Sequence, residues 1–411
     1  MSGRVLIIGT FDSKADEFAF LRERIIENGC EVIAVNAGVD GSTDLFPIEV
    51  EASIVAFEGG EALAALRDLH DRGQAISVMS YGSAVIAKRL FDEGRFDGII
   101  GMGGSGGTGI VTAAMRALPL GVPKVCVSTL AAGDVSPFVG TKDIVMIPSI
   151  VDVAGVNRIS RTILTRAAGA ICGMIAAKIP EATDERPLIA ASMFGNTTDC
   201  VDACRAALDG HGYETLVFHA TGTGGRILES LAAEGLVDAV LDITTTEWAD
   251  ELCGGILSAG PERLDAPGRC GLPHLIVPGC LDMCNFGPMS TVPERHRTAN
   301  RNFYEWTDAV TLMRTTVEEN RQLGEIFARK ANAASGPVAF LIPLRGVSVL
   351  DGDGELFCDR EADAAFTSSL REHLREDIPV VELDANINDP EFAAKAVEMM
   401  LELISNRPAS P

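Results

Sequence analysis

Residues 101–107 read GMGGSGG and place five glycines in seven positions. Glycine costs conformational entropy in ordered backbone, so this run predicts one of two structures. It is either a turn where a helix packs tightly on a strand, or a cradle of backbone N–H groups for phosphate. Its position after a predicted strand favours the cradle. The cradle residues are then Gly103, Gly104, Ser105, Gly106, Gly107 and Thr108.

Two known glycine motifs fit this run only in part. Gly101, Gly103 and Gly106 match the dinucleotide pattern, but no acidic residue follows the next predicted strand at the ribose position. That missing acid makes a nicotinamide-dependent oxidoreductase the least favoured function. The run also resembles a P-loop in which Gly107 replaces the lysine.

Two further loops are expected at the same edge of a parallel sheet. The first, GTFDSKADE, follows the first predicted strand. Asp12 and Ser13 are predicted to cap the next helix, and Lys14 to supply the positive charge that the P-loop lysine would give. The second loop, STLAAGDVSPFVGTKD, is predicted to line a ribose or base with Ser128, Thr129, Gly133 and Asp134. Asp12 and Asp134 are also the candidate ligands for Mg²⁺.

A second group of polar residues follows predicted strands in the second half of the chain. There, FHATGTGG repeats the order of strand, glycine turn and helix seen in the first half. Because arginine suits carboxylates and phosphates, we expect a small anionic substrate, with surface ion pairs as an equal alternative for any single residue. The candidates are His219, Thr221, Gly224, Arg226, Asp282, Asn285, Glu294, Arg295 and Arg345.

Cysteine and acidic motifs do not predict a bound metal. Two C-x-x-x-C pairs begin at Cys200 and Cys280, but zinc ribbons use C-x-x-C pairs, and no nearby histidine completes a site. The sequence DGDGE at 351–355 resembles part of a calcium loop without its remaining ligands. We therefore predict no metal centre built from these motifs.

The chain alternates β-rich runs with helical patterns, which predicts an α/β fold with two Rossmann-like parallel-sheet domains and an interdomain cleft. We predict a nucleotide-binding domain over 1–180 and a second α/β domain over 187–411, joined by PEATDERP. Strands are predicted over 5–10, 31–38, 97–103, 123–130, 143–150, 188–196, 213–222, 237–244, 274–279, 309–316, 337–344 and 379–385. Helices are predicted near 14–28, 60–73, 77–93, 107–118, 156–178, 224–235 and 389–406.

The net charge and the apolar content of the chain limit the classes of partner that it is expected to bind. The net charge of −24 over 411 residues disfavours binding to nucleic acid and to anionic membrane surfaces. The sequence lacks the apolar region of a signal peptide and any run long enough to span a membrane. The cysteines lie mostly in apolar segments, which suits buried thiols in a reducing compartment. We therefore expect a cytoplasmic protein.

Longer stretches resemble one protein family. They are GTFDSKADEF, GMGGSGGTGIVTAAMRALPLGVPKVCVSTLAAGDVSPFVGTKDI, SIVDVAGVNRISRTILTRAAGAI, MFGNTT, GCLDMCNFGP, TVPER, VTLMRTTVEEN and PLRGVSVLDGDGELFCDREAD. Over nearly the whole chain, this set resembles the ATP-binding family of the tomato mosaic virus resistance protein. The resemblance implies two Rossmann-like domains, bound ATP and a homodimer. NFYEWTDA at 302–309 departs from the family pattern, which has a His-Asn-Pro-type stretch there.

Two classes of function follow from these expectations. The first is an ATP-binding enzyme, with or without Mg²⁺, that transfers a phosphoryl or nucleotidyl group to a small carboxylate or phosphate metabolite in the cleft. The alternative is a non-catalytic module that binds a nucleotide or metabolite and acts through a protein partner. The sequence alone leaves the reaction and the substrate open.

Overall fold

The computed structural model of the chain describes residues 3–180 and 185–407. Its contacts divide the chain into two compact units, Met1–Glu181 and Ala182–Pro411, called here the N-terminal and C-terminal units. Each unit contains a parallel β-sheet with helices on both faces, so the predicted α/β class with two parallel sheets is confirmed. Of the predicted linker PEATDERP, residues 181–184 lie outside the described residues.

The N-terminal unit has the strand order β2-β1-β3-β4-β5, and all neighbouring strands are parallel. Its strands are β1 (Arg4–Gly9), β2 (Glu31–Asn36), β3 (Gly98–Gly103), β4 (Lys124–Ser128) and β5 (Val145–Pro148). Its helices are α1 (Ala15–Glu27), α2 (Ala52–Glu58), α3 (Leu63–Leu69), α4 (Arg72–Asp92), α5 (Ser105–Arg116), α6 (Ser136–Val139) and α7 (Arg158–Ala176).

This sheet is apolar on both faces, as a parallel sheet covered on both sides requires. On one face, Phe18 of α1 and Ile171 of α7 pack against the strands. On the other, Ile86 of α4 and Val111 of α5 do so. The strand order reverses between β1 and β3, because β1 connects outward to β2 and the later strands add on the opposite side. Such a reversal opens a crevice at the carboxyl ends of the two strands.

The C-terminal unit has a parallel sheet in the order β14-β13-β9-β8-β6-β7 and a smaller antiparallel sheet in the order β10-β12-β11. Its strands are β6 (Leu188–Met193), β7 (Glu214–His219), β8 (Ala239–Thr244), β9 (His274–Gly279), β10 (Met283–Phe286), β11 (Phe303–Thr307), β12 (Val310–Arg314), β13 (Val338–Pro343) and β14 (Val380–Leu383). Its helices are α8 (Thr198–Gly210), α9 (Thr223–Ala233), α10 (Glu247–Cys253), α11 (Ala266–Arg269), α12 (Glu294–Arg297), α13 (Val317–Asn332), α14 (Arg360–His373) and α15 (Pro390–Ser405).

The antiparallel sheet differs from expectation. The run 309–316 was predicted as one of the parallel strands, but as β12 it pairs antiparallel with β10 and β11. An apolar run alone does not distinguish the two kinds of pairing. The departing sequence NFYEWTDA forms β11 and the turn of this hairpin. There Trp306 is 55% exposed and meets Tyr304 edge to face.

The second tryptophan of the chain has the opposite environment. Trp248 of α10 is buried, and its indole N–H donates to the carbonyl oxygen of Arg263 at 3.1 Å. The ammonium of Lys330 lies 5.2 Å from the centre of its ring. Among residues 3–180 and 185–407, no helix is long and apolar enough to cross a membrane.

Candidate functional site

A cavity of about 850 Å³ lies in the N-terminal unit where the strand order reverses. It is lined by the loop after β1 and by the start of α5 after β3. These two segments contribute the predicted residues Asp12, Ser13, Lys14, Gly104, Ser105, Gly106 and Gly107. The expectation that the two loops share one edge of the sheet therefore holds for these side chains and backbone groups.

The glycines of GMGGSGG divide into two groups, so each of the two structures predicted for the run accounts for part of it. A Cβ atom on Gly101 would lie 2.5 Å from the carbonyl oxygen of Ile8, and one on Gly103 would lie 2.7 Å from Gly107 Cα. These two glycines permit close packing. Around Gly104 the nearest atom to such a Cβ is Thr129 Oγ1 at 3.8 Å, so packing does not explain it.

The start of α5 leaves donors open at the cavity. Gly104 precedes the helix and gives no side-chain cap. Thr108 N–H donates to the carbonyl oxygen of Gly104 at 2.8 Å, as in a regular first turn. Within the described residues, the N–H groups of Ser105, Gly106 and Gly107 have no acceptor. Open N–H groups together with the helix dipole favour a negatively charged ligand.

Asp12 and Ser13 do not cap α1, contrary to the sequence expectation. The helix begins at Ala15 after Lys14, and no side chain caps it. Instead, one carboxylate oxygen of Asp12 accepts from Asp40 N–H at 2.9 Å. The other, Oδ1, is buried and has no hydrogen-bond partner. Because a carboxylate oxygen is an acceptor, a donor or cation in the cavity would satisfy it.

Lys14 lies in the cavity, but its ammonium donates to the carbonyl oxygen of Val153 in the segment after β5. Among the described residues it forms no ion pair. Its charge is therefore available to the cavity, although the ammonium is held on the side of Val153.

Two of the residues predicted to contact a nucleotide serve the interior instead. Thr108 and Ser128 are both fully buried, and their hydroxyl oxygens lie 2.7 Å apart. Thr108 also donates to the carbonyl oxygen of Gly103 at 3.3 Å. They join α5 to β4 beneath the turn. The hydroxyl pair thus fixes the position of the helix start and does not line the cavity.

The remaining residues of the 128–143 loop are more exposed. Thr129 is half-buried beside Gly104, whereas Gly133 and Asp134 are exposed. Asp134 accepts from Ser136 N–H at 2.9 Å, and hydrogen bonds from the Ser136 side chain and backbone lower the pKa of this carboxyl. Asp134 thus forms a local turn just before α6. Its predicted role as a Mg²⁺ ligand stays a prediction.

Sequence reasoning missed the third wall of the cavity. This wall is the end of α3, the turn after it and the start of α4, and it includes Arg67, His70, Asp71 and Arg72. The sequence was interpreted there as one helix over 60–73, with the next beginning at 77. The break between α3 and α4 occurs at His70, which adopts the left-handed conformation with φ of 53°. No glycine or proline stands at this position, so the sequence contains no turn signal before Arg72.

In the second glycine turn, FHATGTGG, backbone N–H groups are already hydrogen-bonded to a side chain of the protein. The carboxylate of Glu247 in α10 accepts from Gly222 N–H at 2.7 Å and from Gly225 N–H at 3.0 Å. Its other oxygen accepts from Arg263 Nε at 2.8 Å. An internal anion therefore fills the position at the start of α9 where the sequence suggested an external one.

Arg263 is 1% exposed and holds three carboxylates. Besides Glu247, these are Asp242 and Glu229. Asp242 also accepts from His274 Nε2 at 2.8 Å. Burial raises the pKa of Asp242, but the charge and hydrogen bonds of Arg263 outweigh burial, so this pKa lies below its ordinary value. The cluster is a buried, paired structural network.

The other residues predicted around FHATGTGG are engaged locally. His219 is exposed and lies 5.4 Å from the ring centre of Phe194. Thr221 donates to the carbonyl oxygen of His219 at 3.3 Å. A Cβ on Gly224 would overlap that same carbonyl oxygen, so packing requires this glycine. Arg226 donates to the carbonyl oxygen of Ser258 at 2.9 Å.

Asp282 and Asn285 are interior residues. Asp282 accepts from the Ser348 hydroxyl at 2.8 Å, and burial raises its pKa. Asn285 donates to Asp250 at 2.8 Å. Burial raises the pKa of Asp250 to about 7, although hydrogen bonds from Asn285 and Leu257 favour its ionised form.

Three predicted residues are exposed. Glu294 begins α12, and Arg295 donates to the carbonyl oxygen of Cys253 at 2.9 Å. Arg345 pairs with Asp353 at 2.6 Å and lines a separate cavity of about 470 Å³ whose other charged groups are acidic. The nine predicted substrate residues thus belong to separate hydrogen-bonded groups, and their role in substrate binding stays a prediction.

No group of three or more His, Cys, Asp or Glu side chains is arranged to hold a metal ion in the part of the chain that the structure describes. Cys200 and Cys204 lie on the buried face of α8 and belong to its core contact with α15. Asp12 lines the cavity and has one buried carboxylate oxygen without a hydrogen-bond partner, and its predicted role as a Mg²⁺ ligand stays a prediction.

Comparison with known families decides the relationship of the chain. The N-terminal domain model of an uncharacterised protein family, UPF0261, matches residues 3–180, and the C-terminal domain model of the same family matches residues 186–404. The chain belongs to UPF0261. A UPF0261 protein of Clostridium tetani is 47% identical, with 98% of this chain and 100% of that protein covered.

The tomato relative is more distant. The ToMV resistance protein Tm-1(GCR237) of Solanum lycopersicum is 38% identical, with 98% of this chain and 56% of that protein covered. The resemblance to the tomato resistance protein is therefore confirmed as homology. The ATP binding that this resemblance implied stays a prediction.

Similar solved structures are remote. One is UDP-N-acetylglucosamine 2-epimerase from Rickettsia bellii, with 10% identity, a TM-score of 0.25, and coverage of 98% of this chain and 97% of that one. A likeness at this level carries no argument about function.

Proposed function

We propose that the N-terminal unit of this UPF0261 protein binds ATP, with its phosphates at the start of α5. The observation that carries the proposal is the set of N–H groups on Ser105, Gly106 and Gly107, which face a cavity and have no acceptor among the described residues. Gly106 is buried and Gly107 is half-buried, and N–H groups away from water are normally satisfied, so open ones in a cavity favour an anionic ligand.

The location of the cavity supports the same function. It lies at the reversal of strand order between β1 and β3, the position where doubly wound α/β sheets bind nucleotides. Its volume of about 850 Å³ is in the range of small-molecule and cofactor sites. The net charge of the chain is −24, so the local helix dipole and cations must attract the phosphates against the overall field.

Mg²⁺ is part of the proposal because Asp12 has one carboxylate oxygen without a partner. That oxygen fits either a Mg²⁺-bound water or a ribose hydroxyl, since both present hydrogens to an acceptor. The adenine assignment rests on the family resemblance and not on a contact in the cavity.

The reaction that we propose is transfer of a phosphoryl or nucleotidyl group to a small anionic metabolite. The competing function is a binding module that reports its nucleotide to a protein partner. One observation favours the module: several residues expected to hold the substrate, such as Asp282, Asn285 and Arg226, are already hydrogen-bonded within the C-terminal unit. The homodimer implied by the resemblance also stays a proposal.

Calorimetric titration with ATP, with and without Mg²⁺, tests the proposed site. We expect the wild type to bind and Gly106→Val to lose binding, because the added side chain enters the cavity beside Ile76. Gly173→Val is the matched control, since Gly173 of α7 has no atom within 4 Å of a Cβ position. Lack of ATP binding by the wild type, or equal binding by Gly106→Val, would contradict the site. ATP turnover with a panel of small acids then separates the enzyme from the module.

A further inference from the structure

Arg72 lies beside the glycine turn. It is the first residue of α4, and its Nη2 atom lies 3.8 Å from the position that a Cβ on Gly106 would occupy. The guanidinium thus borders the turn that carries the open N–H groups of α5. Guanidinium groups match phosphate geometry with two parallel donors.

The cations near the turn differ in how they are held. Lys14 donates to the carbonyl oxygen of Val153, and Arg67 donates to that of Val39 at 2.5 Å. His70 Nδ1 lies 2.8 Å from the carbonyl oxygen of Asp68. In contrast, Arg72 forms no side-chain hydrogen bond or ion pair among residues 3–180 and 185–407. An exposed guanidinium without a partner can turn toward a ligand without breaking an existing bond.

The carboxylates that line the cavity do not form ion pairs with Arg72 among the described residues. They are Asp12, Asp40, Asp71 and Asp152. Asp71 accepts from Gly73 N–H at 2.8 Å and from Gln74 N–H at 3.1 Å, so its carboxylate caps α4. Asp12 accepts from Asp40 N–H at 2.9 Å. None of these acids forms an ion pair with Arg72 in the part of the chain that the structure describes.

The side of α4 that faces the cavity is charged at its first residue and apolar further along the helix. Arg72 at the start of the helix is followed by Ile76 and Met79, which also line the cavity. Residues four and three positions apart share one face of a helix. Leu66 of α3 and Val39 add to the apolar side. The cavity therefore offers apolar side chains for a base as well as Arg72 and open N–H groups for phosphate.

We propose that Arg72 binds the outer phosphates of the nucleotide and makes the cavity select nucleoside di- and triphosphates over monophosphates and nucleosides. This inference rests on the proposed function, because it requires a phosphate at the start of α5. Arg72 then takes the part of the lysine that is missing from GMGGSGG, a part that the sequence had given to Lys14.

Titration of the full chain with ATP, ADP, AMP and adenosine tests the assignment. Arg72→Gln is expected to weaken ATP about 10- to 100-fold, which is the loss of one charge-assisted phosphate contact. AMP and adenosine are expected to bind Arg72→Gln and the wild type equally. Arg72→Lys should recover part of the ATP affinity, because it keeps the charge but not the fork.

Arg95→Gln is the matched control. Arg95 is exposed, forms no side-chain bond among the described residues and lies beyond the far end of α4, a helix of 21 residues. That length separates it from Arg72 by about 30 Å. This control should bind all four compounds as the wild type does. Thermal unfolding without nucleotide should be unchanged in both variants, which excludes a folding defect.

The outcomes separate the two proposals. If the wild type does not bind ATP, the proposed function fails and the role of Arg72 fails with it. If the wild type binds ATP and Arg72→Gln binds it equally well, only the role of Arg72 is overturned. An equal loss of ATP and adenosine affinity also overturns it, because Arg72 would then act on the base or on the shape of the cavity.

Discussion

The two glycine turns of the molecule have the same order of strand, turn and helix, but their backbone N–H groups differ in whether they have an acceptor. Both follow a parallel strand and begin a helix, α5 in the N-terminal unit and α9 in the C-terminal unit. In the C-terminal unit, the carboxylate of Glu247 accepts from Gly222 and Gly225. In the N-terminal unit, the N–H groups of Ser105, Gly106 and Gly107 at the start of α5 have no acceptor among the described residues.

The occupied turn in the C-terminal unit shows which class of group satisfies the N–H donors at the start of such a helix. The chain satisfies one helix start with its own buried anion and neutralises that anion with Arg263. It leaves the other helix start open at a cavity. The internal carboxylate is thus a built-in example of the ligand class that the open turn is suited to bind.

The positions of the turns differ as well. The open turn follows β3, next to the reversal of strand order, where loops on both sides form a crevice. The closed turn follows β7, the outermost strand of its sheet. The helix α10, which follows β8 on the inner side of β6 and β7, supplies Glu247 to that turn.

The largest effect is expected from removing the built-in anion. Glu247→Ala should lower the free energy of unfolding of the C-terminal unit by about 3–5 kcal/mol, because Arg263 loses a partner in a buried position. Glu247→Gln should cost less, since its amide oxygen still accepts from the turn. Urea unfolding followed by tryptophan fluorescence measures both. The control Glu262→Ala, at an exposed residue, should stay within about 0.5 kcal/mol of the wild type.

A stability of Glu247→Ala equal to that of the control would contradict the comparison. It would mean that the start of α9 does not depend on an anion. The open N–H groups at the start of α5 would then give no reason to expect an external anion.

A smaller effect is expected from paired glycine substitutions. Gly224→Ala should destabilise by about 1–3 kcal/mol, because its Cβ overlaps the carbonyl oxygen of His219, which cannot move freely. Gly106→Ala should change stability by less than about 1 kcal/mol, since its Cβ is closest to the flexible end of Ile76 and alanine favours helix.

Calorimetric unfolding of the two alanine variants checks these values, and ATP titration should show weaker binding for Gly106→Ala alone. A large loss of stability in Gly106→Ala would instead assign this glycine to packing, like Gly101 and Gly103.

The smallest effect is a local change in hydrogen exchange. Without nucleotide, the amides of Ser105, Gly106 and Gly107 should exchange quickly, whereas those of Gly222 and Gly225 should be protected by Glu247. Saturating ATP should slow exchange at the first set and leave the second unchanged. Protection of the first set without nucleotide would show that an acceptor within the protein already occupies that turn.

Much of the scaffold could be predicted from the sequence. The apolar runs that form β1, β3 and β4 are bounded by glycine and polar turns, so strand positions and the loops at their carboxyl ends followed directly. The same reasoning brought Asp12 and Lys14 to the edge that carries GMGGSGG. The capping role given to Asp12 was wrong, because its carboxylate accepts from Asp40 N–H and no side chain caps α1.

Long-range partners could not be predicted. Glu247 lies 25 residues beyond Gly222, and no local pattern shows that its carboxylate returns to that turn. Arg72 belonged to a run that was interpreted as one helix, because the left-handed conformation of His70, which ends α3 before Asp71 caps α4, has no glycine to mark it. Likewise, the buried pairing of Thr108 with Ser128 depends on the stacking of α5 on β4, which the separate segments do not reveal.

The two tryptophans allow fluorescence to test whether nucleotide binding in the N-terminal unit changes the C-terminal unit. Both Trp248 and Trp306 belong to the C-terminal unit, so tryptophan emission does not report directly on events confined to the N-terminal unit, where Tyr81 is the single tyrosine. A spectral change on adding nucleotide would therefore be a signal that has travelled from one unit to the other. Buried Trp248 and exposed Trp306 would further separate a change in the interior from one at the hairpin surface.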